Sequence, residues 1–582
     1  MFNKFYQDEL VFLRDMGREF AAAYPEAAHF VGETGRDPDV ERMIEGFAFL
    51  AARLRQKLED ELPEITHAFV EMFFPHYLRP TPSMTVVQFE AMAQAAKEVR
   101  AVPRGTLLES VPVDGTPCTF RTCYDVQLVP FTLESAQLRS EAPPSLRLRF
   151  RLPDGVPLKK VPLSGLRLYL SGDAAVTRAI YVCLCRYLKR VTALPVAGAA
   201  PGNPVLLGDG RARPAGFDAD DLLLPFPAGS FPGFRLLHEY FAFPPKFMFV
   251  DVPGMEALAS LGDATAFELT FELTRLPDPM PPVAPQNFLL HCTPAINLFQ
   301  HDADPIRLDH KRVDYRIRPA GRDAAHFEIY TVDRVVGIAK GTAKPREYHP
   351  LFRLARPAAP DARFYRHRVA PPVVGEGTDV LLSVLLPDRI EDLPEEETLS
   401  LELTCTNRNL PSRLEVGQVS VPTASSPTFA RFRNLSRPTP SLAAPLGDDL
   451  HWRLLSHMAV NYLSLTDLDA LRAMLRLYHF RARTDRQAEQ ALRLVTDGLR
   501  KLTARPSTRL LDGMPVRGIS VELEVDEDNL GGEGEAFLFG SVLDEFFSQY
   551  VTLNAFSRLT LKAMKRGEIH TWPARIGRRI IL

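Results

Sequence analysis

Within "LELTCTNRNLP" (401–411), a cysteine, an arginine and two asparagines fall in five residues: Cys405, Asn407, Arg408 and Asn409. A thiol beside a guanidinium and amides has the groups of a nucleophile with oxyanion donors. The same string also reads as a strand end. Leu399, Leu401, Leu403 and Cys405 alternate with Ser400, Glu402 and Thr404, which makes Cys405 the last inward-facing residue of a strand, a small hydrophobe by position. Asn407 and Asn409 are turn formers that bond their own backbone or adopt the left-handed region, and Pro411 stops a central ladder. Arg408 is then a candidate structural tie, its fork reaching a carboxylate or the carbonyls of a neighbouring loop.

Other strings hold the right atoms at the wrong spacing. "HDADPIRLDH" gathers His301, Asp302, Asp304, Asp309 and His310, donors suited to a transition metal, but the spacing matches no metal motif and Asp304–Pro305 starts a turn. A loop of solvated charges is the expectation. A cysteine or carboxylate enzyme built around Cys405, or around His301 and Asp304, is the alternative function. "DEDNLGGEGEAF" begins like a calcium loop, but Leu530 and Phe537 stand at positions five and twelve, so a strand-to-helix turn is expected. His238 and Glu239 open an HExxH pattern that Ala242 breaks, and neither a GxSxG elbow nor a phosphate loop occurs. Cys183 and Cys185 read as buried thiols that face one way if their segment is a strand. The tail from Lys562 carries Lys562, Lys565, Arg566, Arg575, Arg578 and Arg579 against Glu568. That patch is small for nucleic acid, and a protein partner or a solvated end is favoured. A carbohydrate-binding protein would call for exposed tryptophans; the two present, Trp452 and Trp572, both lie near the C-terminus. No catalytic, cofactor or metal residue is assigned.

The elements that must position these residues change period along the chain. The first 82 residues read as helices. Tyr6, Leu10, Leu13, Gly17, Phe20 and Tyr24 make one stripe, and Val40, Met43, Phe47, Leu50 and Leu54 a second, after an Asp37–Pro38 start. A third segment follows Pro63. Leu10, Leu13, Phe20, Phe47 and Leu50 are the candidate partner-contact face. From Ser83 the period falls to two: "SLRLRFRL", "GLRLYL" and "FELTFELT" read as half-buried antiparallel strands in a domain spanning 83–284, with helical insertions near 174–190 and 255–262. A second β-rich domain, 285–430, holds "HFEIYTV", "DVLLSVLL" and "TLSLELTC". In 431–582, "RPTPSLAAPLGDD" reads as a linker able to flex over 437–447. Helices are expected at 448–464, 467–480 and 485–503, the last with a Thr484/Gln487 capping box. The strand "GISVELEVD", a helix faced by Leu538, Val542, Phe546 and Tyr550, the strand "RLTLKAM" and the basic tail complete the domain. No internal repeat is read. The fold class is therefore multidomain α+β: an N-terminal helical segment, two antiparallel barrel- or sandwich-like domains and a C-terminal α+β domain.

Composition narrows the function. At 582 residues the chain exceeds a single core, and a net charge of −3 gives no global field for nucleic acid. Proline is the outlier, 50 residues against a usual share of about 5%. There is no apolar run of about 18 residues, and the N-terminus, with early acids, does not read as a signal peptide. Six cysteines without a CxxC pair suit a reducing cytoplasm. With 37 phenylalanines and no catalytic constellation, the composition suits an assembly protein rather than an enzyme.

Read in order, "FYQDELVFLRDMGREFAAAYP", "FFPHYLRPTPSM", "VPRGTLL", "CTFRT", "GFRLLHEYFAFPPKFMF", "PAINLF", "CTNRNLP", "WRLLSHMAVNYLSL", "FLFGSVLDEFFSQYVTLNAF" and "WPARIG" resemble the type VI secretion baseplate family TssF (ImpG/VasA), across residues 2 to about 577. Pro245 and Asn409 depart from the acidic residues expected there. The resemblance implies a cytoplasmic wedge protein of a contractile injection machine, similar to the wedge proteins of phage baseplates, without enzymatic activity or cofactor. It implies two TssF copies paired with one TssG and joined to TssK and TssE. Six such wedges would surround the VgrG hub and receive the Hcp tube and the sheath. Docking at the inner face of the cytoplasmic membrane would run through partners, with no insertion of this chain and no nucleic acid.

Overall fold

The computed structural model describes residues 2–23, 38–59, 63–92, 97–197, 203–226, 231–309, 311–321, 324–339, 345–351, 362–370, 372, 377–385, 397–446, 467–511 and 514–577. The chain divides into two compact units, 1–70 and 71–582. The first is helical. Phe2–Ala23 packs on Pro38–Glu59, and among the described side chains there the buried ones are Leu10, Gly17, Ala48 and Ala52.

The second unit is built from mostly antiparallel sheets, one nearly closed as a barrel and one a half-barrel, with helices between and after them. The alternating strings form the expected strands. Ser145–Arg151 pairs with Ala266–Leu273 in a register that opposes Phe150 to Phe267, Leu148 to Leu269 and Leu146 to Phe271, all buried. The Phe150 and Phe267 rings stack at 5.2 Å, and Phe131 meets both edge-on. The insertions are the helix Ala174–Cys185 and a 3-10 turn, Met255–Leu261. Cys183 and Cys185 thus lie on a helix and do not share a face; Cys183 is buried and Cys185 half-buried.

One six-stranded sheet draws distant segments together. Met84–Ala91 lies between Cys292–Ile296 and Ala430–Asn434, pairing Met84 with Ile296 and Val87 with Asn434. Val87 and Phe89 pack into the core on one face, Met84 and Val86 into the core on the other. A strand covered on both faces loses the polar alternation that would announce it.

Beside this sheet the structure reveals a repeat the sequence reading passes over. "RPTPS" occurs at 79–83 and again at 437–441. The two copies run antiparallel under a local pseudo-twofold. Thr81 and Leu442 exchange both backbone bonds, at 2.8 and 3.0 Å, while the Thr439 amide donates to the Met84 carbonyl and the Met84 amide to Thr439 Oγ1, each at 2.9 Å. Thr85 Oγ1 donates to the Ser436 carbonyl. The start of the expected linker, 437–442, is therefore fastened to the sheet; the helix expected at 448–464 lies outside the described residues.

The C-terminal region departs from expectation at one element. The helix Arg486–Gly498 gives way at once to a strand, Leu499–Leu511, where helix was expected to 503. That strand pairs on one side only, with Met514–Val525, and this edge position tolerates Pro506, which has no N–H to donate. The helix cap also differs. Asp485 accepts from the amides of Gln487 (2.9 Å) and Ala488 (3.4 Å), while Thr484 turns back to the Arg481 carbonyl. The helix Glu533–Ser548 then crosses to Ala555–Ala563, which runs parallel to Met514–Val525. Of its expected face, Leu538, Val542 and Phe546 are buried, while Tyr550 lies beyond the helix end and is half-buried. Gly540 lets Trp572 lie against the helix: a Cβ there would meet the indole at 2.3 Å.

Candidate functional site: buried ties and an exposed apolar helix face

The Cys405 string is a strand end. Cys405 is the penultimate residue of Glu397–Thr406, fully buried between Phe299 and Ile329, and burial pushes its thiol up to about 12. A thiol so held is not a nucleophile at neutral pH. His301 is engaged elsewhere: its Nε2 lies 2.8 Å from the Ala320 carbonyl and its ring stacks on Phe327 at 4.7 Å.

Past the strand, three distant strings meet. Asn297 Oδ1 accepts the Asn407 amide (2.7 Å), and its Nδ2 donates to the Thr119 carbonyl and to Asn407 Oδ1, both at 2.8 Å. Asn407 Oδ1 also accepts the Thr119 amide at 3.1 Å. Both asparagines are fully buried, so each bond replaces a lost water contact. The residue that takes the left-handed conformation is Arg408, at φ 50°, not either asparagine. Its Nε donates to the Phe327 carbonyl at 2.9 Å, the carbonyl tie the sequence left open, and its charge faces buried Glu328.

The "HDADPIRLDH" residues are strands rather than a loop. Phe299–Asp302 and Ile306–Leu308 both pair with Glu397–Thr406, and Ala303–Pro305 is the break between them. Asp304 is exposed, and Asp309 accepts from the Tyr315 hydroxyl and the Lys311 amide. His310 lies outside the described residues. The "DEDNLGGEGEAF" string is the expected turn. Asp526 pairs with Arg500 and Lys565, and Gly531 ends a short helix in the left-handed region.

The described cations of the basic tail are engaged internally. Lys562 pairs with Glu522 (2.8 Å), Lys565 with Asp528 (2.5 Å), and Arg575 with Asp544 (2.5 Å) and Glu545 (2.7 Å); Arg566 donates to the Asp278 carbonyl. Burial pushes the Asp544 carboxyl up to about 6, with Arg575 opposing. Arg578 and Arg579 lie outside the described residues.

The broken HExxH string proves to be a buried ion knot, which the sequence reading missed. Glu239 and Lys246 have no exposure at all and contact each other directly. Glu239 Oε1 also takes the amides of Leu223 (2.9 Å) and Leu224 (2.8 Å) and the Arg235 Nε (3.3 Å). Burial opposes the Glu239 charge, yet Lys246 and Arg235 hold the carboxyl below its usual range. Burial pulls the Lys246 ammonium down, and Glu239 restores part of it. The only sequence signal is a lysine inside the apolar run "FPPKFMFV". The pair ties the helix Pro232–Ala242 to the turn Pro244–Phe247 that follows it.

Among the described residues of the two long helices, large apolar side chains face outward. Small residues are buried, while Phe12, Met16 and Phe20 on one helix and Met43, Phe47 and Leu50 on the other are 48–75% exposed. Of the candidate face, Leu10 is buried, Leu13 is half-buried, and Phe20, Phe47 and Leu50 are exposed.

Ionisable groups turned inward to bind each other, with large apolar side chains turned outward, define a structural subunit of an assembly. The comparisons agree. A family profile for the type VI secretion protein TssF matches residues 1–579. The chain is 31% identical over 625 residues to the type VI secretion component TssF1 of Pseudomonas aeruginosa, covering 99% of this chain and 98% of that one. It resembles a chain of a TssK–TssF–TssG baseplate subcomplex (TM-score 0.75, 32% identity, 92% of this chain, 98% of that one). It also resembles a chain of a type VI baseplate complex (TM-score 0.64, 29% identity, all of both chains). The chain belongs to the TssF family and is a structural subunit of the type VI secretion baseplate. No described helix is long and apolar enough to cross a membrane.

Proposed function

We propose that this chain works in the cytoplasm without catalysis, as one of two copies joined to a TssG partner in a wedge that contacts TssK and TssE. Six wedges surround the VgrG hub beneath the Hcp tube and the sheath. The relatives assembled with TssK and TssG support the nearest of these partners. The observation that carries the reading is the exposed row Phe12, Met16, Phe20, Met43, Phe47 and Leu50 beside a seam of small residues. Side chains of that size on two packed helices suit burial against further helices of a partner.

Co-expression with the neighbouring TssG-like protein, followed by size analysis, tests it. The wild-type chain is expected to elute as a complex of two copies per TssG. Phe47→Asp with Leu50→Asp is expected to abolish that complex while leaving the melting temperature of the isolated chain unchanged. A complex that survives the double substitution removes this face from the interface. The enzyme alternative gains no support, since Cys405 is sealed and His301 is held by the Ala320 carbonyl.

A further inference from the structure

The carboxylates of Glu533 and Glu568 and the imidazole of His570 each offer a ligand atom within 4.8 Å of the others. Glu533 opens the Glu533–Ser548 helix, Glu568 precedes the strand Ile569–Thr571, and His570 is its middle residue. His570 is only 2% exposed, yet its ring makes no hydrogen bond: Nδ1 has no partner, and Nε2 stops 3.7 Å from Glu568 Oε2. That carboxylate oxygen has no hydrogen-bond partner either. The countercharge present is Arg275, half-exposed, 2.8 Å from Glu568 Oε1 and 3.4 Å from Glu533 Oε1; the Tyr187 hydroxyl also donates to Glu533. Arg186, bonded to the Ile569 carbonyl, is a further cation nearby.

A guanidinium reaching in from one side satisfies one oxygen of each carboxylate. It leaves an imidazole nitrogen and a carboxylate oxygen facing each other with no proton shared. Two carboxylates and an imidazole are a donor set for a borderline divalent ion. Donors about 2.1 Å from a tetrahedral zinc stand roughly 3.4 Å apart. The 3.7 Å gap between His570 and Glu568 is therefore close to a preformed pair of ligands. We propose that Glu533, Glu568 and His570 form a zinc site in which the metal exchanges for the Arg275 guanidinium. The ion fixes the first turn of the helix to the closing strand, and Arg275 holds the carboxylates together when the metal is absent.

The test is Zn2+ titration of the full chain after treatment with EDTA, read by calorimetry and by melting temperature. One equivalent is expected to bind and raise the melting temperature, and His570→Ala is expected to remove both effects. Arg275→Gln takes away the competing cation. Its metal-free melting temperature is expected to fall, Zn2+ to restore it, and affinity to rise about tenfold or more. A countercharge with no metal role predicts the same fall without the rescue. Zinc-edge X-ray absorption of the loaded wild type needs no variant and is expected to show a first shell of nitrogen and oxygen alone. Sulfur in that shell, binding unchanged by His570→Ala, or no stoichiometric binding would each overturn the proposal.

Discussion

At the scale of single residues, several of the strings that mark the family are places where distant parts of the chain lock. Asn297 of "PAINLF", Asn407 of "CTNRNLP" and Thr119 of "CTFRT" form one buried hydrogen-bonded knot. Glu239 and Lys246 of "LLHEYFAFPPKFMF" form another. Trp572 of "WPARIG" lies on Gly540 and donates to Ser541 of "FLFGSVLDEFF" at 3.1 Å. Polar groups in such knots are costly when left alone: each buried donor or acceptor stripped of its partner costs about 1–3 kcal/mol. Asn297→Ala strands the Asn407 amide and the Thr119 carbonyl, so a loss of about 2–5 kcal/mol is expected. Asn407→Ala removes the acceptor of the Thr119 amide and is expected to cost somewhat less, and the double variant less than the sum, because both changes remove the one side-chain bond between the two asparagines. Urea unfolding of the four proteins measures this; additive losses would mean that the two amides act independently. A strand-end cysteine was legible from alternation alone. The partner of Arg408 was not, since the Phe327 carbonyl lies 81 residues away in sequence.

At the scale of elements, periodicity named the strands that face solvent on one side and passed over those that do not. "SLRLRFRL" and "FELTFELT" announce themselves because arginine, glutamate and threonine alternate with the core residues. "MTVVQFEA" has both faces buried and carries no such rhythm. At Leu499 the helix-to-strand change was hidden for a different reason. An edge strand tolerates proline and charge, so "LRKLTARPSTRLL" lacks the apolar density of a central strand. The Arg486–Gly498 cap shows how a local motif misleads when two candidates adjoin. Asp485, one residue after the threonine of the expected box, takes both amides. Asp485→Ala is expected to cost about 1 kcal/mol, and Thr484→Ala clearly less. Thermal melts of both variants decide it, and equal losses would restore the threonine as the cap.

For the whole molecule, unit 71–582 carries a set of histidines whose folding roles require them neutral. His291 Nε2 accepts the Val129 amide at 3.0 Å, and His479 Nδ1 accepts the Ala482 amide at 3.1 Å. His238 lies 3.0 Å from the Thr81 hydroxyl in the fastened "RPTPS" segment. Burial pulls each of these imidazoles from 6.5 to about 4, and pulls His76 down as well. The unfolded chain therefore binds protons that the folded chain refuses. Stability from these groups is complete above pH 6.5 and drains away as pH falls toward 4, by on the order of 1–3 kcal/mol per imidazole. Chemical unfolding at pH 7, 6, 5 and 4.5 measures it. His291→Gln, which keeps an acceptor near Val129 but cannot take up the proton, is expected to flatten part of that slope. An unchanged slope would place the acid sensitivity in other groups.

The sequence by itself determined the class of fold, the period of most elements and, through its ordered strings, membership of the TssF family. Those properties are local: a helix, an alternating strand or a turn is encoded within a dozen neighbouring residues. Tertiary structure alone decided that "RPTPS" at 79–83 pairs with its copy at 437–441, that Glu239 and Lys246 are buried together, and that Lys562, Lys565 and Arg575 of the tail are spent on Glu522, Asp528, Asp544 and Glu545. It also decided that, among the described residues of the N-terminal helices, Phe12, Met16, Phe20, Met43, Phe47 and Leu50 face outward. These are long-range contacts. The free energy of a charge or an apolar side chain depends on which distant group excludes water from it, and no local pattern in the sequence carries that information.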